Sequence, residues 1–256
     1  LFVVNDHPQS ISRINANSTD IENLLSEIEG LDWRIAVTNL NSYCQVTNKV
    51  WLSSEDDDSE STTALISALS QSGPGGTKLF EKALSILERS DPGDCMDGFL
   101  RADSLLQIAL ISHMTDNSSD SVPTNLTRME DQLTEGQTVS ISAFSGTGSN
   151  GCSNSPRLHE AADSTNGHQT DLCNEPLSLF LENLASSAQT QLDSNIRLEL
   201  AEPPVLSTLS VYTDQKVLSD WQYLSSTNQI VVDGQTEELT EGQSIHVDYL
   251  AQVACQ

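Results

Sequence analysis

Apolar residues along this chain fall into short dense runs, and between them stand longer stretches in which they recur at helical spacing. "LFVVN" (Leu1–Asn5), "WRIAVTNL" (Trp33–Leu40), "SLLQIALIS" (Ser104–Ser112) and "TVSISAF" (Thr138–Phe144) are near-continuous runs rich in β-branched residues. That is the pattern of strands buried on both faces. Ile11, Ile14, Ile21, Leu24, Leu25 and Ile28 follow helical spacing up to Gly30, with a capping box at Thr19–Glu22 where a helix starts or restarts. A helical piece is predicted around Thr63–Leu69. Leu79, Phe80, Ala83, Leu84 and Leu87 then form one face of a clear amphipathic helix. Further helices are predicted over Val122–Leu133 and over Leu177–Leu192, the latter aligning Leu177, Phe180, Leu181, Leu184, Ala188 and Leu192. "YCQVTNKVWL" (Tyr43–Leu52) alternates weakly and suits a strand or hairpin at a sheet edge.

Buried strands alternating with amphipathic helices predict an α/β fold with a doubly wound, mostly parallel sheet. The pattern changes at Asn195. "IRLEL", "TLSVYTD", "WQYL", "NQIVVD" and "SIHVDYL" are short alternating segments separated by turn residues, which predicts a small antiparallel sheet or sandwich. The boundary is placed at Leu192–Asn195, giving an α/β domain over 1–194 and a small β domain over 195–256. Trp221, Tyr223 and Tyr249 are expected to fill the core of the second domain.

Charge narrows the partners. The 256 residues carry 37 acidic against 11 basic side chains, a formal net charge of −26. Such a field repels phosphate backbones and anionic lipid, so no nucleic-acid role is expected. No run approaches the ~18 apolar residues of a membrane span. The acidic run Ser53–Ser61 reads as a solvated loop, and it lacks the spacing of a Ca²⁺-binding loop. The five cysteines contain no C-x-x-C pair, which argues against a zinc ribbon or a thioredoxin-type site. Cys152 and Cys173 bracket a loop-rich segment where a crosslink offsets chain entropy, so a disulfide is expected there, and a second between Cys44 and Cys95. Cys255 is left over. Two bridges, few lysines and abundant Ser, Thr and Asn favour an exported protein, extracellular or at the cell surface, with the periplasm as the other compartment. The chain opens already inside a strand, as a chain trimmed at its start does.

Other constellations are weaker. "GTGSNG" (Gly146–Gly151) matches G-x-G-x-x-G after a strand, but no helix starts within the glycines, so a tethered loop is expected and not a nucleotide site. Ser112, His113 and Asp116, with His159 and His168 later, are the residues available to a hydrolase. There is no G-x-S-x-G elbow, and adjacent strand residues point to opposite faces, so Ser112 and His113 make a poor pair. Asn17, Asn117 and Asn125 sit in N-x-S/T sequons, for which no glycans are expected.

The order of blocks resembles the von Willebrand factor A domain family in the form common in secreted bacterial proteins. "LFVVNDHPQS" stands where that family has apolar residues followed by D-x-S-x-S, and "WRIAVTNL" is its second core strand. "GPGGTKLFEKAL" resembles its glycine-rich loop and third helix, "SLLQIALISHMTD" its strand ending in an acidic loop, and "RLHEAADSTNGHQTDLC" its late segment with glycine and cysteine. The resemblance implies ligand binding at the carboxyl ends of the strands through Mg²⁺ or Ca²⁺, completed by a partner's carboxylate. Carried over residue by residue, Asp6 takes the place of the first aspartate, Ser10 that of the second serine and Thr77 that of the threonine. Pro8 replaces the first serine and His113 the second aspartate. A neutral imidazole is a poor ligand for hard cations, so the expectation is a degenerate site that holds no cofactor. Asp116, three residues on, is the one substitute carboxylate. The function expected is non-enzymatic protein binding in adhesion, through loops carrying Asp6–Ser10, Gly73–Thr77 and Ser112–Asp116. A self-associating appendage subunit is the alternative, and a metal-dependent enzyme around His113 and Asp116 a distant third.

Overall fold

The computed structural model describes residues 1–5, 7–15, 18–29, 31–39, 50–56, 58–70, 77–101, 104–133, 137–149, 152–214, 216–219, 221–225, 228–233 and 244–251. The chain divides into two compact units, Leu1–Gln189 and Thr190–Gln256. In chain order the first comprises β1 (Phe2–Val4), α1 (Pro8–Asn15), α2 (Ser18–Glu27), β2 (Arg34–Ile35), β3 (Val37–Asn39), β4 (Leu52–Ser53), α3 (Asp58–Leu69) and α4 (Leu79–Leu87). There follow β5 (Leu105–Ser112), α5 (Val122–Glu130), β6 (Thr138–Ser145), α6 (Pro156–Ser164), β7 (Gln169–Asp171) and most of α7 (Leu177–Ser194), whose last residues belong to the second unit.

Five strands form one sheet in the order β3-β1-β5-β6-β7, every neighbour parallel. Side chains alternate between two cores, as the two-residue strand period demands. Phe2, Val4, Ala109, Ile111 and Phe144 pack with α1, α2, α3 and α7 on one face. Val3, Ile108, Leu110, Ile141 and Ala143 pack with α4, α5 and α6 on the other. Such two-sided burial is why these strands read as unbroken apolar runs. The architecture is therefore α/β with a parallel sheet and helices on both faces.

Several boundaries differ from the sequence expectation. The run Trp33–Leu40 is divided at Ala36, with β2 pairing antiparallel to β4 and β3 entering the main sheet. Helix α3 begins at Asp58, inside the acidic run assigned to a loop, and a first helical turn favours a carboxylate such as that of Glu60. The segment between Cys152 and Cys173 holds α6 and β7 and is not mainly loop. Gly167 lets β7 approach closely: a Cβ there would stand 1.9 Å from the Ile141 carbonyl oxygen.

The second unit contains β8 (Asn195–Glu199), a 3-10 turn (Leu206–Thr208), β9 (Ser210–Thr213), β10 (Trp221–Leu224), β11 (Gln229–Asp233) and β12 (Ile245–Asp248). All pairings are antiparallel, in sheets ordered β10-β11-β8 and β12-β9. Val211, Ile230 and Val232 are wholly buried, and Trp221, Tyr223 and Tyr249, expected to fill this core, are partly buried and pack against it. Among the described residues no helix is long and apolar enough to cross a membrane.

Candidate functional site

Chain order and sheet order reverse between β1 and β5, since the chain moves outward from β1 to β3 and then returns past β1 to β5. In open α/β sheets the crevice at the carboxyl ends beside such a reversal is where ligands bind. Here it is bounded by the residues after β1 and those after β5.

Pairing extends past β1, with Asn5 N donating to Ile111 O at 2.8 Å. The Asn5 side-chain oxygen accepts from His7 N at 2.8 Å, a local turn that ends the strand. Pro8 then opens α1, where its missing N–H costs nothing. Two residues in, Ser10 is wholly buried and its hydroxyl oxygen accepts from His113 N at 3.0 Å. That bond ties α1 to the end of β5. The rings of His7 and His113 stack across the crevice, with centroids 5.1 Å apart and planes 12° apart. His113 is only 6% exposed, and its Nδ1 finds no hydrogen-bond partner among the described residues. Burial, and secondarily the neighbouring His7, hold its pKa below the usual histidine value. Asp6, the first aspartate of the expected cation site, lies outside the described residues, as do 73–76 of the glycine-rich loop.

Thr77 immediately precedes α4. Its hydroxyl oxygen accepts from Asn117 Nδ2 at 2.8 Å, and its carbonyl accepts from Asn117 N. Thr77 is thus joined to the far end of the β5 loop.

Asp116 is turned inward. Its side chain is 0% exposed and accepts four hydrogen bonds: from Leu79 N (2.7 Å) and Ser118 Oγ (2.9 Å) at Oδ1, and from Ser118 N (3.1 Å) and Arg157 Nε (3.0 Å) at Oδ2. Lys78 gives α4 no side-chain cap, so Asp116 supplies one from across the chain, where the helix dipole favours a negative charge. Arg157 also donates to the Asp120 carbonyl at 2.5 Å and stands 5.7 Å from the Phe80 ring centroid. A carboxylate so occupied has few lone pairs left for a cation. Neighbouring bonds fix the rest of the loop: Thr115 Oγ1 donates to Asn154 O (2.7 Å) and Ser155 Oγ to Met114 O (3.2 Å).

Beyond β6 the structure brings together a pair that the spacing of the sequence does not suggest. Ser145 Oγ lies 3.0 Å from His159 Nε2. Burial lowers the His159 pKa, opposed by the charges of Asp163 and Asp171. Ser145 is wholly buried, so its hydroxyl faces no incoming substrate. Ser112 is also committed, donating to Met114 O at 2.7 Å and accepting from Met114 N at 3.0 Å. His168 belongs to the β6–β7 junction, where its N–H donates to Ser142 Oγ at 3.0 Å. The Asp171 carboxylate gathers Thr147 Oγ1 (2.5 Å), Ser149 Oγ (3.2 Å), Asn174 Nδ2 (2.6 Å) and Cys173 N (2.9 Å). Those hydrogen bonds hold it below the usual carboxylate pKa against the opposing effect of burial.

The "GTGSNG" loop folds back on itself. Thr147 bridges Asn154, and Ser155 N donates to Gly146 O at 3.0 Å. Helix α6 starts only at Pro156, so no helix N-terminus is presented by the glycines. Cys152 and Cys173 form the expected disulfide, with Cα atoms 6.2 Å apart. Cys95 is also disulfide-bonded; Cys44, its expected partner, lies outside the described residues, as does Cys255. The sulfurs of Cys152 and Cys173 lie within 4.8 Å of a ring nitrogen of His113. Two imidazoles and a disulfide thus meet at the crevice.

No protein-family model matches the chain, and neither a curated protein nor a solved structure matches it.

Proposed function

We propose that the first unit is a non-catalytic protein-binding module of the von Willebrand factor A type, exported to the cell surface or beyond and serving adhesion. Its recognition surface is the set of loops at the carboxyl ends of β1, β5 and β6, and recognition proceeds through shape and polar contacts without a bridging cation. The observation that carries this reading is the inward commitment of Asp116. The one carboxylate that could replace the aspartate lost at His113 serves instead as a helix cap and as the partner of Arg157. The hydrogen bonds that fix the described part of the β5 loop support binding, since a surface fixed in advance spends less free energy on ordering. A metal-dependent enzyme around His113 and Asp116 draws no support from this arrangement, and burial of Ser145 argues against a serine nucleophile.

Calorimetric titration with Mg²⁺, Ca²⁺ and Mn²⁺ tests the reading, and no micromolar binding is expected. Partners captured by the intact chain are expected to be retained in chelator. Micromolar binding abolished by Asp6→Ala, with partners lost in chelator, would overturn it. The second reading, a self-associating appendage subunit, is favoured by exposed apolar side chains on the β unit: Leu206 (61%), Val217 (72%) and Leu250 (66%). Sedimentation over a range of concentrations separates the two, because the subunit reading requires polymers.

A further inference from the structure

Hard cations are poorly served in the crevice, but its donor set suits a softer one. Among the described residues, three metal-ligating side chains from distant points of the chain converge: His113 after β5, Cys152 before α6 and Cys173 after β7. One donor atom from each lies within 4.8 Å of the other two. In a tetrahedral site with Zn–S near 2.3 Å and Zn–N near 2.0 Å, neighbouring donors stand ~3.5–3.8 Å apart. The imidazole nitrogen already lies near that range, and the two bonded sulfurs reach it by parting once the disulfide is reduced. The scaffold is firm on all three sides. His113 is fixed by its backbone bond to Ser10, Cys173 by its N–H to Asp171, and Cys152 by its N–H to Ser149 O. Nδ1 of His113 is a second, independent pointer: it is buried and unpartnered among the described residues, a condition that native interiors seldom leave unexplained.

We propose that the Cys152–Cys173 disulfide is the closed state of a redox-gated zinc site, in which reduction by a dithiol frees two thiols that bind Zn²⁺ together with His113. The electrons balance as follows. One thiolate of the dithiol attacks the sulfur of half-buried Cys173, releasing Cys152 as a thiolate that takes up a proton. The second thiol of the reductant displaces Cys173, which is protonated in turn, and the reductant departs as its own disulfide. Zn²⁺ then displaces the two thiol protons to solvent and takes two thiolates and one imidazole nitrogen. A water fills the fourth position. Thiolate and imidazole select Zn²⁺ over Mg²⁺ or Ca²⁺. The proposal is independent of the adhesion reading, since it concerns what the crevice holds and not what the loops recognise.

The test uses the full chain, reduced, desalted under argon and titrated with Co²⁺ as a spectroscopic stand-in for Zn²⁺. Because other cysteines are reduced too, the Cys152→Ser/Cys173→Ser double variant treated identically supplies the background. The expected result is one additional Co²⁺ in the wild type, with thiolate-to-cobalt charge transfer and tetrahedral d–d bands, and no such spectrum before reduction. His113→Ala is expected to weaken Co²⁺ binding at least about tenfold, no less than the loss of an outer-sphere partner does. Identical spectra for the wild type and the double variant would overturn the proposal. So would unchanged affinity in His113→Ala, or loss of native circular dichroism on reduction alone.

Discussion

Replacing Asp116 with asparagine changes one oxygen to an amide nitrogen at nearly constant volume, and it probes whether this carboxylate is a strut or a free ligand. The wild-type side chain faces four donors and no acceptor. In one orientation the asparagine NH₂ confronts Ser118 N–H and Arg157 Nε–H. Flipped, it confronts Leu79 N–H and the Ser118 hydroxyl, and only the hydroxyl can rotate to accept. Each orientation strands a donor: at least one backbone N–H at ~1–3 kcal/mol, and in the first orientation a guanidinium as well. Arg157 keeps 27% side-chain exposure and recovers part of its solvation, which places the pair below the ~3–5 kcal/mol of a fully buried one. The sum is a loss of about 3 kcal/mol, equivalent to roughly 6–12 °C in Tm for a unit of this size. Urea titration followed by circular dichroism, with thermal scans, measures it. A double-mutant cycle with Arg157→Ala is expected to show coupling of about 1–2 kcal/mol. A loss below about 1 kcal/mol, or recovery of wild-type behaviour on adding Mg²⁺ or Ca²⁺, would refute the strut and favour a cation-binding role for Asp116.

Other expectations follow from buried groups and close contacts. His113 titrates below its ordinary value of 6.5 because burial disfavours the imidazolium, so the stability it contributes is complete above that pH and is lost as pH falls toward the lowered pKa. Unfolding free energies measured from about pH 7.5 to about pH 5 should show a shallower fall in His113→Phe. Lys82 is 4% exposed on α4, and burial, with Arg89 nearby, lowers its pKa from 10.5 to about 8. The folded wild type sheds this proton before the unfolded chain does, so its stability should rise with pH between about 8 and 10.5, a rise that Lys82→Met should lack in urea titrations across that range. Gly167→Ala places a methyl against the Ile141 carbonyl and should cost several kcal/mol, read as an urea midpoint lowered at unchanged slope.

How much of this was legible beforehand depended on the range of the interaction involved. The run Leu105–Ser112 announces a central strand because both of its faces are buried, and α4 declares itself through Leu79, Phe80, Ala83, Leu84 and Leu87. Helix α6 was hidden because it buries only Leu158, Ala161 and Ala162, too few for a visible stripe. Ser155–Pro156 was the available signal, a capping-type residue followed by proline at the first helical position. Strand β7 is three residues long and polar at both ends, so nothing local marks it. The site divides along the same line. The crosslink Cys152–Cys173 follows from composition, and the placing of His113 at the end of a buried strand from position. Whether Asp116 turns outward or inward could not be read from its neighbours, because the groups that turn it lie 37 and 41 residues away, at Leu79 and Arg157. Local sequence offers a carboxylate beside an open crevice. The fold commits that carboxylate to the α4 N-terminus and the Arg157 guanidinium, both of which it matches with hydrogen bonds. The crevice is left to two imidazoles and a pair of sulfurs, and its chemistry moves from oxygen donors toward nitrogen and sulfur.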